Sequence, residues 1–369
     1  MKHAATKSVP SPGKERFPLS LLVLTLGAFA IGMTEFIIMG LLPNVASDLG
    51  VTISQAGQLI TSYALGVAIG APVLTVFTHR LPQKKLLVIL MGIFIFGNAV
   101  SVIAPTYPLL IIARVLTAFA HGTFLGQQLG WRASFGAITV LGIISLFGII
   151  RFIPVIVQEQ TANLAEQVRG LMNPKVLLIL LTGALGCGSL FALFTYITPI
   201  LEDITGFAEH SVTWILVLFG VGVTLGNIAG GKLADWKLMP SLIVNFAVLA
   251  GIIALFPLTL HHPVLAVANV FLWGIAAFGI MPGIQLRIMN LAHKAPLLAT
   301  TSSHSALNLG NAAGAYLGGV TINTLGIATI PWLASGLAVL ALCGAWLSYR
   351  STRANRAEHG LAAEIGKSA

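Results

Sequence analysis

Apolar positions along this chain come in long blocks rather than in the alternating faces of a soluble fold. Eleven apolar runs, at 18–42, 54–77, 85–104, 108–125, 132–157, 176–201, 212–234, 241–260, 263–289, 297–325 and 330–347, are divided by short polar stretches. Turn formers such as Leu42-Pro43-Asn44 and His261-His262-Pro263 mark the divisions. A helix needs about 20 apolar residues to cross a hydrocarbon core of roughly 30 Å. The pattern therefore predicts an all-α, polytopic membrane protein of about 11 helical segments.

Composition agrees: 56% of the residues are hydrophobic and only 8% are charged. The net charge of +9 would suit a nucleic-acid binder, but the basic residues lie in short clusters between the runs. Of the 20 Lys and Arg, all but Arg114 and Arg132 fall in clusters at or beside such links or in the tails, while Asp48, Glu202, Asp203 and Glu209 fill other links. Basic loops stay on the cytoplasmic side, so the expectation is an inner membrane with both termini in the cytoplasm. Nucleic acid is not an expected partner, and a monomer is expected.

Eleven crossings conflict with that charge pattern. Starting inside, they would leave Lys232, Lys237, Arg287, Lys294 and the basic C-terminal tail outside. One span too many, or one missing between Phe124 and Arg132, removes the conflict. Run 108–125 is the weak member, because it carries Arg114 and His121. Two paths stay open for it: a strained complete crossing, or a re-entrant element that returns to its own side.

The longest polar link, 158–175, divides the chain. The expected organisation is a cytoplasmic tail (1–17), an N-terminal helical bundle (18–157), the linker (158–175), a C-terminal six-helix bundle (176–348) and a second tail (349–369). The first run reads as a signal anchor, since it is span-length and lacks a cleavage site behind a short core. Cys187 and Cys343 lie in distant spans and are read as inert thiols rather than a disulfide.

Each half repeats a basic link after its second span: His79-Arg80-Leu81-Pro82-Gln83-Lys84-Lys85 and Gly231-Lys232-Leu233-Ala234-Asp235-Trp236-Lys237. The second resembles the Gly-x-Leu-Ala-Asp cytoplasmic turn of the major facilitator superfamily. Gly32-Met33-Thr34-Glu35-Phe36, Arg114 with His121-Gly122-Thr123-Phe124, and Asn308-Leu309-Gly310-Asn311 resemble helices of its arabinose-efflux-permease-like branch of drug–proton antiporters. The resemblance covers nearly the whole chain. It implies two pseudo-symmetric helical bundles around a cavity and proton-coupled efflux of a small sugar-like or amphipathic compound. One departure is specific. Gly122-Thr123-Phe124 runs directly into Leu125–Arg132, so the end of helix four and helix five of the resembling family are lacking, and the fold is an incomplete 12-helix transporter. An internally deleted, transport-inactive remnant is the alternative.

Candidate chemistry is sparse. Glu35 is the only carboxylate inside an apolar run. Such acids cost at least ~2.5–3.5 kcal/mol unless paired, so it is read either as a proton carrier or as a protonated, hydrogen-bonded structural group. Arg114 either supplies its counter-charge or snorkels to an interface. His121, seven residues on and nearly on the same face, is either a relay or an ordinary satisfied histidine. Tyr196, Trp273, Gln285, Asn308 and Asn311 are the candidate substrate contacts, set against the ordinary role of amides as glue between helices. Arg80, Lys84, Lys85, Lys232 and Asp235 are the candidate cytoplasmic gate. Glycines four apart, as in Gly222/Gly226/Gly230 and Gly310/Gly314/Gly318, predict close helix packing. No Walker lysine, metal spacing or nucleophile–base pair stands out, so no enzyme activity, cofactor or metal is expected.

Overall fold

The computed structural model describes residues 38–78, 82–118, 131–152, 171–292 and 296–368. All regular structure among them is helical. Five of these helical stretches are long and apolar enough to cross a membrane, namely Lys84–Ile103, Pro174–Asp203, Glu209–Thr259, Pro263–Leu291 and Ile327–Ser351.

The N-terminal half contributes α1 (Leu42–Leu49), α2 (Ile53–Thr78), α3 (Gln83–Ile103), α4 (Tyr107–Ala118) and α5 (Trp131–Phe152). The C-terminal half contributes α6 (Pro174–Phe194), α7 (Ile197–Asp203), α8 (Glu209–Ala254), α9 (Phe256–Thr259), α10 (Pro263–Gly279), α11 (Met281–Leu291), α12 (Pro296–Leu325) and α13 (Ile330–Ser368). Helices α6 and α7 form one span interrupted at Thr195 and Tyr196. α8 is two spans joined across a kink, where Lys237 leaves helical geometry at φ −148°, ψ 84°. Pro240 lies just beyond, and it cannot donate to the preceding turn. The kink falls in the basic link that the repeat marks.

Glycine ridges hold the C-terminal half together. A methyl group on Gly310 or Gly314 would run into the Ala184 or Gly188 carbonyl, and one on Gly226 or Gly230 into those of Ile275 or Gly279. Bare backbones therefore touch, α12 against α6 and the first part of α8 against α10. In a bilayer such contacts, rather than water exclusion, drive helix association. Hydrogen bonds add to them: Ser189 Oγ donates to the Ala334 carbonyl at 2.7 Å, Ser335 Oγ to Ala250 at 3.1 Å and Asn245 to Gly279 at 3.1 Å.

In the N-terminal half, α4 begins beside the first turn of α2, where the Tyr107 hydroxyl donates to the Gln55 carbonyl. It ends with Ala118 and Val115 against Gly66 and Thr117 against Gly97. From Tyr107 to Ala118 is about 17 Å at 1.5 Å per residue, a little over half a hydrocarbon core. α5 packs antiparallel on α3, with Gly142 against Phe94 and Ile95 and Gly136 facing Val102. Its first residue, Trp131, is thus level with the end of α3 from which α4 starts. Tyr107 and Trp131 therefore lie at the same end of α3. Positions 119–130, which make the connection, lie outside the described residues.

Candidate functional site

The two halves meet along α2 and α12, near the end that carries Asp48, Glu202, Asp203 and Glu209. Four described polar contacts tie the halves there. Ser54 Oγ donates to the Gly319 carbonyl at 3.1 Å, and Asn323 Nδ2 donates to Ser54 Oγ at 3.1 Å. Thr198 Oγ1 donates to the Met39 carbonyl at 3.1 Å, and Asn44 Nδ2 donates to Glu209 Oε1 at 3.0 Å. Ser54, Gln58, Tyr196, Tyr316 and Asn323 line a cleft of about 180 Å³ beside this seam.

Arg114 is fully buried on α4, with its guanidinium 4.1 Å from the centre of the Tyr63 ring. It does not snorkel, because α4 has turned it inward against α2. A cation over an aromatic face is worth more when water is excluded, about 2 kcal/mol or more. Tyr63 was not among the sequence candidates. Its signal is a phenol amid small and aliphatic residues, in the middle of a span. Glu35 and His121, the other expected proton-handling groups, lie outside the described residues, as does Arg80.

The expected substrate contacts fall in four places. Asn308 and Asn311 are buried one turn apart on α12, and Asn308 donates to the His304 carbonyl at 2.9 Å. Gln285 accepts a hydrogen bond from Ser303 at 3.0 Å, joining α11 to α12. Trp273 sits elsewhere, inside the C-terminal bundle. Its ring lies 4.9 Å from Phe219, 5.6 Å from Phe256 and 5.8 Å from Phe194, and the buried indole N–H has no hydrogen-bond partner among the described residues. Tyr196 lies in the interruption between α6 and α7, with its hydroxyl donating to the Ala315 carbonyl at 2.8 Å.

The expected gate residues sit at the other end of the helices. Lys84 and Lys85 open α3, and Lys232 and Asp235 are exposed just before the α8 kink. Sequence reasoning missed Ser54, Gly57, Thr198, Ser303 and Asn323. Each is small or polar near a helix end, a pattern shared with many ordinary surface positions.

Two half-bundles of membrane-spanning helices meeting along a polar seam have the architecture found in alternating-access transporters. The chain belongs to the Major Facilitator Superfamily, whose sequence profile matches residues 24–126 and 121–303. It is 37% identical to the inner membrane transport protein YdhP of Escherichia coli, over 89% of this chain and 96% of that one. It is 30% identical to the putative transporter AraJ of Escherichia coli (84% and 89% covered) and 30% identical to a chloramphenicol resistance protein of Streptomyces lividans (87% and 94% covered). Among solved structures it resembles the nucleoside transporter NupG, with a TM-score of 0.69 at 13% identity over 90% of this chain and 100% of that one. It also resembles the human organic anion transporter MFSD10, with a TM-score of 0.64 at 13% identity over 89% and 96%. The alignment with YdhP extends over 372 residues yet engages 89% of a 369-residue chain, so about 40 of its positions have no counterpart here. The protein is a multi-pass membrane protein of a family that moves small molecules, and that family is not one of enzymes.

Proposed function

We propose that this chain exports a small sugar-like or amphipathic compound in exchange for protons, with both termini in the cytoplasm. The observation that carries the reading is the seam. The halves are tied by Ser54, Thr198 and Asn323 at the acidic end, while the basic links lie at the opposite end. This is the arrangement of a cavity closed toward one membrane face. Similarity to a chloramphenicol resistance protein fits an amphipathic substrate, for which Asn308 and Asn311, buried on α12, are the candidate contacts. Proton entry would act on Glu35, and Arg114, buried on α4, is the candidate counter-charge. A proton biases the two facing states only as far as its affinity for them differs.

The test is a proton-antiport measurement in inverted membrane vesicles, with a panel of sugars and amphipathic drugs. Compound-dependent proton release that vanishes in Glu35→Gln is the expected result, since the amide keeps the size and hydrogen bonding but cannot titrate. Full pH-dependent export in that variant would make Glu35 structural.

A second reading rests on the roughly 40 positions of the YdhP alignment that have no counterpart in this chain, which we read as the span missing between α4 and α5. In that reading the chain inserts but does not cycle. Comparing export by this chain and by a version with the missing span restored separates the two.

A further inference from the structure

We propose that Tyr196 is the pin of the gate at the acidic end, and that it holds the gate closed by filling a slot made of glycine rather than by its hydrogen bond. The proposal rests on the alternating-access reading above.

The residue stands where three elements meet. It occupies the break between α6 and α7, at φ −114°, ψ 14°, and its side chain is 1% exposed. The ring reaches from the C-terminal half into α12 and across to α2 of the N-terminal half. A Cβ on Gly57 would run into the phenol oxygen. One on Gly318 would lie 2.6 Å from the ring, and one on Gly319 would lie 2.8 Å from the phenol oxygen and 3.0 Å from Ser54 Oγ. Glycine at these three positions therefore shapes the slot, and any side chain there would displace either the ring or a helix.

Two features make it a pin rather than a fixed core residue. First, it lies on an interrupted stretch of helix, where a modest φ/ψ change swings the side chain; such positions absorb domain motion as hinges. Second, the cleft lined by Ser54, Gln58, Tyr316 and Asn323 opens directly beside the ring, giving it space into which to withdraw. The phenol donates to a backbone carbonyl of Ala315, which keeps its own place in the α12 ladder. Losing that bond leaves the slot filled.

The experiment reads the distance between the halves directly, independent of substrate and of membrane sidedness. Spin labels go on Ser47→Cys and Ala208→Cys, exposed sites on opposite halves at the acidic end. Cys187 and Cys343 are replaced by alanine, and the purified full-length protein is studied in nanodiscs by double electron–electron resonance. The parent should show a predominantly short distance, and Tyr196→Phe should match it. Tyr196→Ala and Gly57→Ala should each move most of the population to a longer distance, and combining them should add nothing to Tyr196→Ala. Gly319→Ala should open the gate as Gly57→Ala does, and it stands in if the latter fails to fold. A short distance retained in folded, monodisperse Gly57→Ala or Gly319→Ala would overturn the proposal, as would opening in Tyr196→Phe. Distance shifts in a chain that moves no protons would keep the pin and remove the transport reading. Antiport with unmoved distances would do the reverse.

Discussion

The two halves of this molecule differ in how often their described polar residues bridge from one helix to another. In the C-terminal half they reach across: Ser189 to α13, Ser335 to α8, Asn245 to α10, Asn269 to the Ile252 carbonyl and Thr259, and Ser303 to Gln285. In the N-terminal half the described bonds of Asn98, Ser101 and Thr117 run back four residues along their own helices. Ser145 is buried on α5 with no partner among the described residues. The C-terminal half, with more helices packed together, has more such bridges among the described residues, although Thr182, Asn227 and Asn308 there also bond back along their own helices. In the N-terminal half a described bridge runs from Tyr107 on α4 to the Gln55 carbonyl on α2. Each half holds a buried arginine, Arg114 and Arg287.

Backbone contact gives the sharpest way to break this comparison. Gly314→Leu should abolish recovery of folded protein, because its side chain would meet the Gly188 carbonyl and no flexible group can yield. Overpacking of even modest size costs about 1–3 kcal/mol, and a leucine into backbone exceeds that. Gly92→Leu, where nothing lies within 4 Å of an added Cβ, should leave yield and elution profile unchanged. Equal damage at both sites would show that the halves are equally tight.

Hydrogen exchange asks the same question without mutation. Amides of α4 should exchange at least about tenfold faster than those of α6, since local opening follows packing and contact density. Within Pro174–Asp203 the most apolar 18-residue window is 72% buried, whereas five of the 12 residues of α4 are buried. Protection of α4 equal to that of α6 would contradict the picture of a half-supported element.

Much of this division was legible in the sequence. Blocked hydrophobicity gave the spans, the repeated basic link placed the halves, and loop charge exposed the odd crossing before any contact was known. Glycines four apart at Gly222–Gly230 and Gly310–Gly318 foretold where backbones touch. The site was far less legible. Trp273 and the α12 asparagines look alike in sequence as polar or aromatic islands, yet Trp273 packs among Phe194, Phe219 and Phe256 while Asn308 and Asn311 are buried on α12, Asn308 bonding its own helix. Burial among aromatic rings and burial along a helix leave the same trace in one chain. Tyr196 was legible as a special residue but not as a pin, because the glycines that receive it are distant in sequence.

A paired serine experiment tests the polar contrast. Ser189→Ala removes a hydroxyl that bridges two helices and should lower stability by about 0.6 kcal/mol, the average for such bonds in membrane proteins. Ser145→Ala removes a hydroxyl with no described partner and should be neutral or slightly stabilising, because an unsatisfied buried group carries only its desolvation cost. Thermal unfolding in detergent followed by size-exclusion recovery checks both. A larger loss at Ser145 than at Ser189 would reverse the assignment of glue to the C-terminal half.

An effect of similar size lies at the entrances to the two halves. α6 starts with Asn173, whose side chain accepts from the Lys175 N–H at 3.0 Å, and Pro174 occupies the first turn where its missing N–H costs nothing. α3 starts after Pro82 with no side-chain cap. Asn173→Ala should therefore cost about 0.5–1 kcal/mol, seen as a downward shift of a few degrees or less in the melting midpoint. Asn173→Asp should hold the midpoint, since its carboxylate caps as well and suits the positive end of the helix dipole. At the other entrance Pro82→Asp should raise stability by adding a cap that α3 lacks, provided the bend set by the proline is kept. If Asn173→Ala has no effect while Pro82→Asp destabilises, capping does not distinguish the halves, and the difference between them lies in helix packing alone.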